Sequence, residues 1–279
     1  MGRLILNADD FGLTSGVNRA VIELHRAGAL TSATLMACAS ATNEAIELAC
    51  ATPTLGVGCH VVLVDGKSVL SAREISSLAR LGTGRFYPTL GTFLRALFTG
   101  RIRSSEIEAE TGAQIALLQS KGVKLTHIDT HKHTHIFPAV LRPVLRAAKA
   151  AGIHAVRNPF EPAWSRRAMR GAPLIRRAEV NLLRLWEPAF RRIVAEEGFV
   201  TTDGALGVLA TGSLDAAQFD SLLGNLLAGT WELVTHPGYN DADLARAHTR
   251  LLASRETERA ALASMDFNNK IERINFSGL

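Results

Sequence analysis

Four of the nine histidines, His127, His131, His133 and His135, fall with Asp129 inside the ten residues from Thr126 to His135. Read as an extended strand, these five positions share one parity and project to one side. Read as a helix, His127 and His131 lie four apart, as do His131 and His135, and still share a face. Either way imidazoles converge beside a carboxylate, which suits a metal ion. An extended chain rises roughly 3.3 Å per residue, so the first and last histidines stand too far apart for a single ion. One or two ligands come from this stretch and the remainder from elsewhere. Spacing alone does not choose among His127, His131 and His133.

The other residue types able to complete such a site are Asp9, Asp10, His60, Arg157 and His236. An aspartate with two histidines leaves a coordination position open for water. A metal held this way lowers the pKa of that water and polarises a carbonyl. A neighbouring carboxylate then takes the proton, and a further histidine protonates the leaving group. Neighbours on a strand point to opposite sides, so Asp9 and Asp10 are expected to divide the work, one as ligand and one as base. Taken alone, an aspartate pair at a strand end is as readily a turn or a helix cap. A lone His60 is more often a satisfied core histidine. Their company with four clustered histidines is what favours chemistry.

The elements that position these residues follow from hydrophobic periodicity. Residues 3–8 read as a buried strand, followed by a helix capped by Ser15 and ended near Gly28. Residues 33–37 form a second strand, 42–51 a second helix, and 55–63 a third strand ending near His60. From 65 to 103 the periodicity fails and no regular element is expected in this long excursion. A helix from Ser104 or Ser105 to Ser120 precedes a fourth strand at 123–128, which feeds the histidines. Pro138 opens a helix to Ala151, and 154–157 is a fifth strand. An arginine-rich helical insertion spans about 164–197. Strands at 205–209 and 231–235, helices at 214–228 and 243–263, and a strand at 271–276 complete the chain. Alternation of strand and helix argues a parallel sheet in a single domain over 1–279. The candidate residues all sit at carboxyl ends of strands, the face on which a β/α barrel builds its active site.

Bulk composition narrows the partners. With 47% hydrophobic and 20% charged residues, the chain is globular rather than disordered. No apolar run approaches the roughly 20 residues of a membrane span, and no cleavable leader is read at the start. Cys38, Cys50 and Cys59 lack metal or redox spacing and read as reduced residues of a cytoplasmic chain. The net charge of +5 is concentrated: between Trp164 and Arg192 eight arginines face only Glu179 and Glu187. Little aromatic interleaving suited to base stacking accompanies them, so no nucleic-acid partner is expected. Leu174, Ile175, Leu182, Leu183, Leu185, Trp186, Phe190 and Ile193 alternate with the arginines. They suggest either peripheral contact with an anionic membrane or a helix packed on the barrel.

The motifs Asn7 to Gly12 (NADDFG), Gly58-Cys59-His60, Thr126 to His135 and His236-Pro237-Gly238, in this order, resemble the YdjC-type carbohydrate deacetylases. That resemblance implies a distorted TIM-like (β/α) barrel of about seven parallel strands and removal of an N-acetyl group from an amino sugar at one divalent metal. It implies Asp9 as general base, His236 as acid or transition-state stabiliser, and Asp10, His60 and His131 as metal ligands. Asp129, His133 and Arg157 would line the substrate pocket. Zinc suits two histidines and an aspartate best, with magnesium, manganese, nickel or cobalt as alternatives. The stretches 156–162 and 202–212 further resemble the hopanoid-biosynthesis branch, which implies N-acetylglucosaminyl bacteriohopanetetrol as substrate. A soluble chitooligosaccharide, or a noncatalytic glycolipid-binding barrel, are the competing readings.

Overall fold

The computed structural model describes residues 2–169, 173–265 and 271–279. Arg170 of the basic segment lies outside them. In chain order the first elements are β1 (Gly2–Phe11), α1 (Ser15–Arg26), β2 (Ser32–Leu35), α2 (Thr42–Ala51) and β3 (Gly56–Val61). A hairpin, β4 (Ala79–Arg80) and β5 (Arg85–Phe86), and helices α3 (Leu90–Phe98) and α4 (Ser104–Ser120) follow. Next come β6 (Leu125–Thr130), a 3-10 turn over His131–Ile136, and helices α5 (Pro138–Ala150), α6 (Ala163–Ala168), α7 (Leu174–Leu183) and α8 (Glu187–Glu197). The chain closes with β7 (Gly204–Leu206), α9 (Ala216–Gly224), β8 (Gly229–Thr235), α10 (Ala242–Arg246), α11 (Ala253–Ala263) and β9 (Ile271–Ile274).

Seven strands form one parallel sheet in the order β6-β3-β2-β1-β8-β7, with β9 pairing β1. Because β1 is ten residues long, its first half pairs β9 while its second half pairs β2. Strands buried on both faces need apolar residues at both parities, and β1 shows the division. Leu4, Leu6 and Ala8 join the main core, whereas Ile5 packs in a separate cluster with Ala155 and Phe276. That second cluster lies inside the curl of the sheet, and the same parity carries Asn7 and Asp9 inward. The curled parallel sheet is the expected TIM-like barrel, in distorted form.

The distortion has a local origin. Residues 154–157 do not form the fifth strand the periodicity suggests. Their strand pairing is limited to single bridges, Ile128 to Val156 and Ala155 to Val200. Other expectations also give way. Thr14, not Ser15, caps α1 by accepting the Val17 amide at 3.2 Å. Arg103 occupies the position before α4, where neither serine caps. The segment read as one helix from 243 to 263 is α10 and α11 with a break at 247–252. The excursion at 65–103 holds the small hairpin and α3. Its alternating stretches are too short to register as periodic, yet Ile75, Leu78, Phe86 and Phe93 are buried against the core. No helix among the described residues is long and apolar enough to cross a membrane. The three cysteines are unpaired.

Candidate active site

The dense histidine stretch splits into different environments. His127, on β6, turns inward and lies flat on Phe276, ring centroids 3.6 Å apart at 9°. A Cβ at Gly58 would collide with that ring, so glycine is required there. His135 donates from Nε2 to the carbonyl of Arg157 at 3.2 Å and accepts at Nδ1 from the Thr130 hydroxyl at 2.8 Å. Both are structural. Burial pushes His127 down to about 3 and His135 to about 4, so both are neutral near pH 7.

Beyond Thr130 the strand parity stops. Lys132 and His133 adopt left-handed backbone, φ 57° and 52°, and the chain turns back over the barrel mouth. This turn brings His131 to His60 and Asp10 and leaves His135 behind. The expectation of five side chains projecting to one side therefore holds only within the strand, for His127 and Asp129.

Asp10 also departs from the alternation expected of neighbours. Pairing between β1 and β2 shifts register between Ala8 and Phe11, and Asp10 sits at φ 64°. A bulge with a left-handed residue adds one position to a strand and re-aims its side chains. Here it turns Asp9 and Asp10 into the same cavity. The four non-glycine residues with positive φ among those described, Asp10, Asp65, Lys132 and His133, all line that cavity. Backbone strain of this kind costs of order 1–3 kcal/mol per residue and persists only where the surroundings enforce it.

Asp10 Oδ1 lies 3.4 Å from His60 Nε2 and 3.3 Å from His131 Nδ1, and the two nitrogens are 3.3 Å apart. A tetrahedral ion with bonds of roughly 2.0–2.1 Å needs ligand atoms about 3.3–3.4 Å apart, so the triangle fits a metal. His60 Nδ1 donates to Asp129 at 2.8 Å, which turns Nε2 toward the other two atoms. A carboxylate behind a ligating histidine is the usual way such a ring is oriented. Burial opposes charging of His60, yet Asp129, Asp10 and Asp9 push it up to about 10.

Asp9 is held differently. Arg157 reaches it with both terminal nitrogens, at 2.8 Å and 2.6 Å, while Asn7 and Thr34 donate to Oδ1 at 2.9 Å and 3.2 Å. Burial favours the neutral acid, but Arg157, His60 and His236 hold the carboxyl far below the ordinary carboxylate range. Arg157, wholly buried, also pairs with Asp129 and Glu232. Burial pushes Glu232 up to about 7 against the pull of Arg157.

His236 follows β8, its Nε2 3.7 Å from Asp9 Oδ2 and its amide held by Glu258 at 2.6 Å. Burial lowers it to about 4. His133 borders the cavity with Nδ1 buried and unpartnered, and burial with Arg157 lowers it to about 3.

Asp9, Asp10, His60, His131, His133 and His236 thus meet at one cavity of about 680 Å³, with Asp129 and Arg157 directly behind. Three supporting residues escaped sequence reading. Glu232 had a signal, an acid inside the apolar strand Trp231 to Val234. Arg255, wholly buried and donating to Asp10 Oδ2, and Glu258 had none, because they lie on a helix of mixed charge. The cavity walls come from α3 (Leu90, Leu94), the start of α5 (Phe137) and α7 (Val180, Leu183).

The chain is 30% identical over 99% of its length to a carbohydrate deacetylase of Thermoanaerobacter pseudethanolicus, covering 99% of that protein. It is 44% identical to a carbohydrate deacetylase of Brevibacillus brevis over 53% of this chain and 56% of the relative. A solved Enterococcus faecalis protein, described as a candidate cellobiose-phosphate cleavage protein, shares the fold at a TM-score of 0.77 and 24% identity, over 99% of this chain and 98% of that one. The family model described as YdjC-like protein matches residues 3–273, and the chain belongs to that family.

Proposed function

We propose that the protein is a metal-dependent N-deacetylase that hydrolyses the N-acetyl group of an N-acetylglucosamine-bearing substrate. The observation carrying this reading is the Asp10, His60 and His131 triangle beside an ionised Asp9 and a neutral His236 on one cavity floor. Asp10, His60 and His131 would hold the ion, and their spacing favours zinc among the divalent candidates. Bound there, a divalent ion supplies Lewis acidity and a water of lowered pKa.

The chain's own groups perform the proton transfers. Asp9 accepts the attacking water's proton at Oδ2, the oxygen nearer His236. Arg157 keeps that carboxylate ionised and fixed, which lowers its basicity and makes placement its main contribution. His236, neutral at rest, receives the water's proton from Asp9 Oδ2, 3.7 Å from its Nε2, and delivers it to the departing amine nitrogen, which leaves Asp9 ionised again. A ring with a pKa of about 4 gives its proton up readily. His133 offers a hydrogen bond to the sugar from the cavity side. Acetate and the free amino sugar result.

The apolar walls of the cavity support a substrate carrying a lipid beyond the sugar, and N-acetylglucosaminyl bacteriohopanetetrol is the specific proposal. The relatives' names, carbohydrate deacetylase, specify a sugar and no lipid, and a soluble chitooligosaccharide is the second reading. Acetate release measured on both substrates, with zinc, magnesium, manganese, nickel and cobalt in turn, separates the readings. Higher kcat/KM on the glycolipid supports the first, and equal or higher kcat/KM on the soluble sugar removes it. Asp9→Asn should keep its metal and lose about 10²–10⁴ in turnover. Undiminished acetate release by that variant would refute the mechanism.

A further inference from the structure

Helix α7 has two apolar faces, and only one is covered. At 100° per residue, Val180 and Leu183 fall on the side that walls the cavity, next to Arg176. Leu174, Ile175 and Leu182 fall on the opposite side, and Leu185 in the following turn continues their line. These four are 84%, 77%, 65% and 73% exposed. They are four of the nine large hydrophobic residues that stand exposed among those described. Phe98 of α3, also exposed, stacks on Trp186 at 19° and 6.3 Å, extending the patch onto the other wall of the cavity. Single exposed leucines are ordinary, whereas a contiguous group marks a contact surface.

Charge identifies the partner. Eight arginines and two glutamates lie between 164 and 192, so the pairs Arg176 with Glu179 and Arg184 and Arg191 with Glu187 leave the segment strongly positive. Arg167 and Arg192 are exposed beside the patch in sequence. Arg176 and Arg177 on α7 itself bond inward to the carbonyls of Val208 and Met169. The attraction therefore rests on exposed arginines flanking the patch, of which Arg192 also lies 3.7 Å from Glu196. An apolar helix face with such basic flanks lies in the headgroup boundary of a bilayer, and anionic lipid strengthens the attachment.

We infer that the outer face of α7, with Leu185 and Phe98, docks on an anionic lipid bilayer and holds the cavity mouth at the membrane surface. The inference deepens the proposed function by bringing a lipid-linked sugar within reach. It rests on that reading for the substrate alone, since docking is measured without turnover.

Flotation of the whole protein with vesicles of phosphatidylcholine alone, or containing about 30 mol% phosphatidylglycerol, tests it. Binding to the anionic vesicles should exceed binding to neutral ones by about tenfold and weaken as salt is raised. The double variant Leu182→Glu, Leu185→Glu should lose about tenfold of that binding while keeping kcat/KM on a soluble chitooligosaccharide and an unchanged Tm. Arg167→Glu with Arg192→Glu should lose the anionic preference. Equal recovery of wild type on both vesicle types overturns docking. So does wild-type dimerisation in sedimentation, abolished by the double variant without any vesicle binding, because the face would then belong to a second copy. Acetate release without docking sinks only the docking, and docking without acetate release sinks only the catalysis.

Discussion

The floor and the rim of the cavity are built on opposite principles. On the floor, Asp9, Asp10, His60, Asp129 and Arg157 are nearly or wholly buried and joined to one another by charge. At the rim, α3 presents Leu90 and Leu94, α7 presents Val180 and Leu183, and Phe137 stands before α5. A floor bound by ion pairs admits almost no substitution, because each charge is the counterion of another. A rim bound by apolar contact tolerates exchange of shape and volume. On the proposed reading the barrel's strand ends carry the reaction, and the two excursions shape what reaches it.

The contrast breaks most sharply on the floor. His60→Ala or Asp10→Ala should weaken metal affinity beyond the about 10–100-fold typical of losing an outer partner, read as metal content after dialysis. Retention of one equivalent of metal by either variant would remove that residue from the ligand set. Arg157→Met leaves Asp9, Asp129 and Glu232 without their common cation. Urea denaturation should show a loss of about 3–5 kcal/mol, and a loss below 1 kcal/mol would mean that the carboxylates find other partners.

The alternation of strand and helix and the gathering of Asp10, His60 and the histidine stretch at strand ends were legible in the sequence, because short apolar runs between helical segments mark the strands of a buried parallel sheet. The turn of the chain at Lys132 and His133 was not, since left-handed backbone in lysine and histidine leaves no compositional mark. Nor was the bulge at Asp10, which reverses the divergence expected of two adjacent aspartates. Glu232 stood out as a charge in an apolar strand. Arg255 acquires its position from a helix packed on α1 and α9, 245 residues from Asp10 in sequence.

A smaller effect tests the burial of the floor. His127, His133, His135 and His236 have folded pKa values of about 3, 3, 4 and 4, below the ordinary 6.5. Between these values and 6.5 the unfolded chain binds more protons than the folded one, so stability falls as pH drops below 6.5. Each histidine contributes a slope of up to about 1.4 kcal/mol per pH unit. His127→Gln should reduce the slope between pH 6.5 and 4.5 by one histidine's share, measured by urea midpoints. An unchanged slope would show that His127 titrates normally.

The rim gives the mildest response. Leu94→Ala or Leu183→Ala should raise KM for a lipid-linked substrate by about tenfold and leave kcat and metal content unchanged. A fall in kcat of the same size would tie the rim to the chemistry and weaken the division drawn between the two regions.

The most direct test of the central claim is acetate release by protein stripped with a chelator and then reloaded. Stripped protein should be inactive, one equivalent of zinc should restore turnover, and His131→Ala should remain inactive after the same treatment. Full acetate release by the stripped protein would contradict the account.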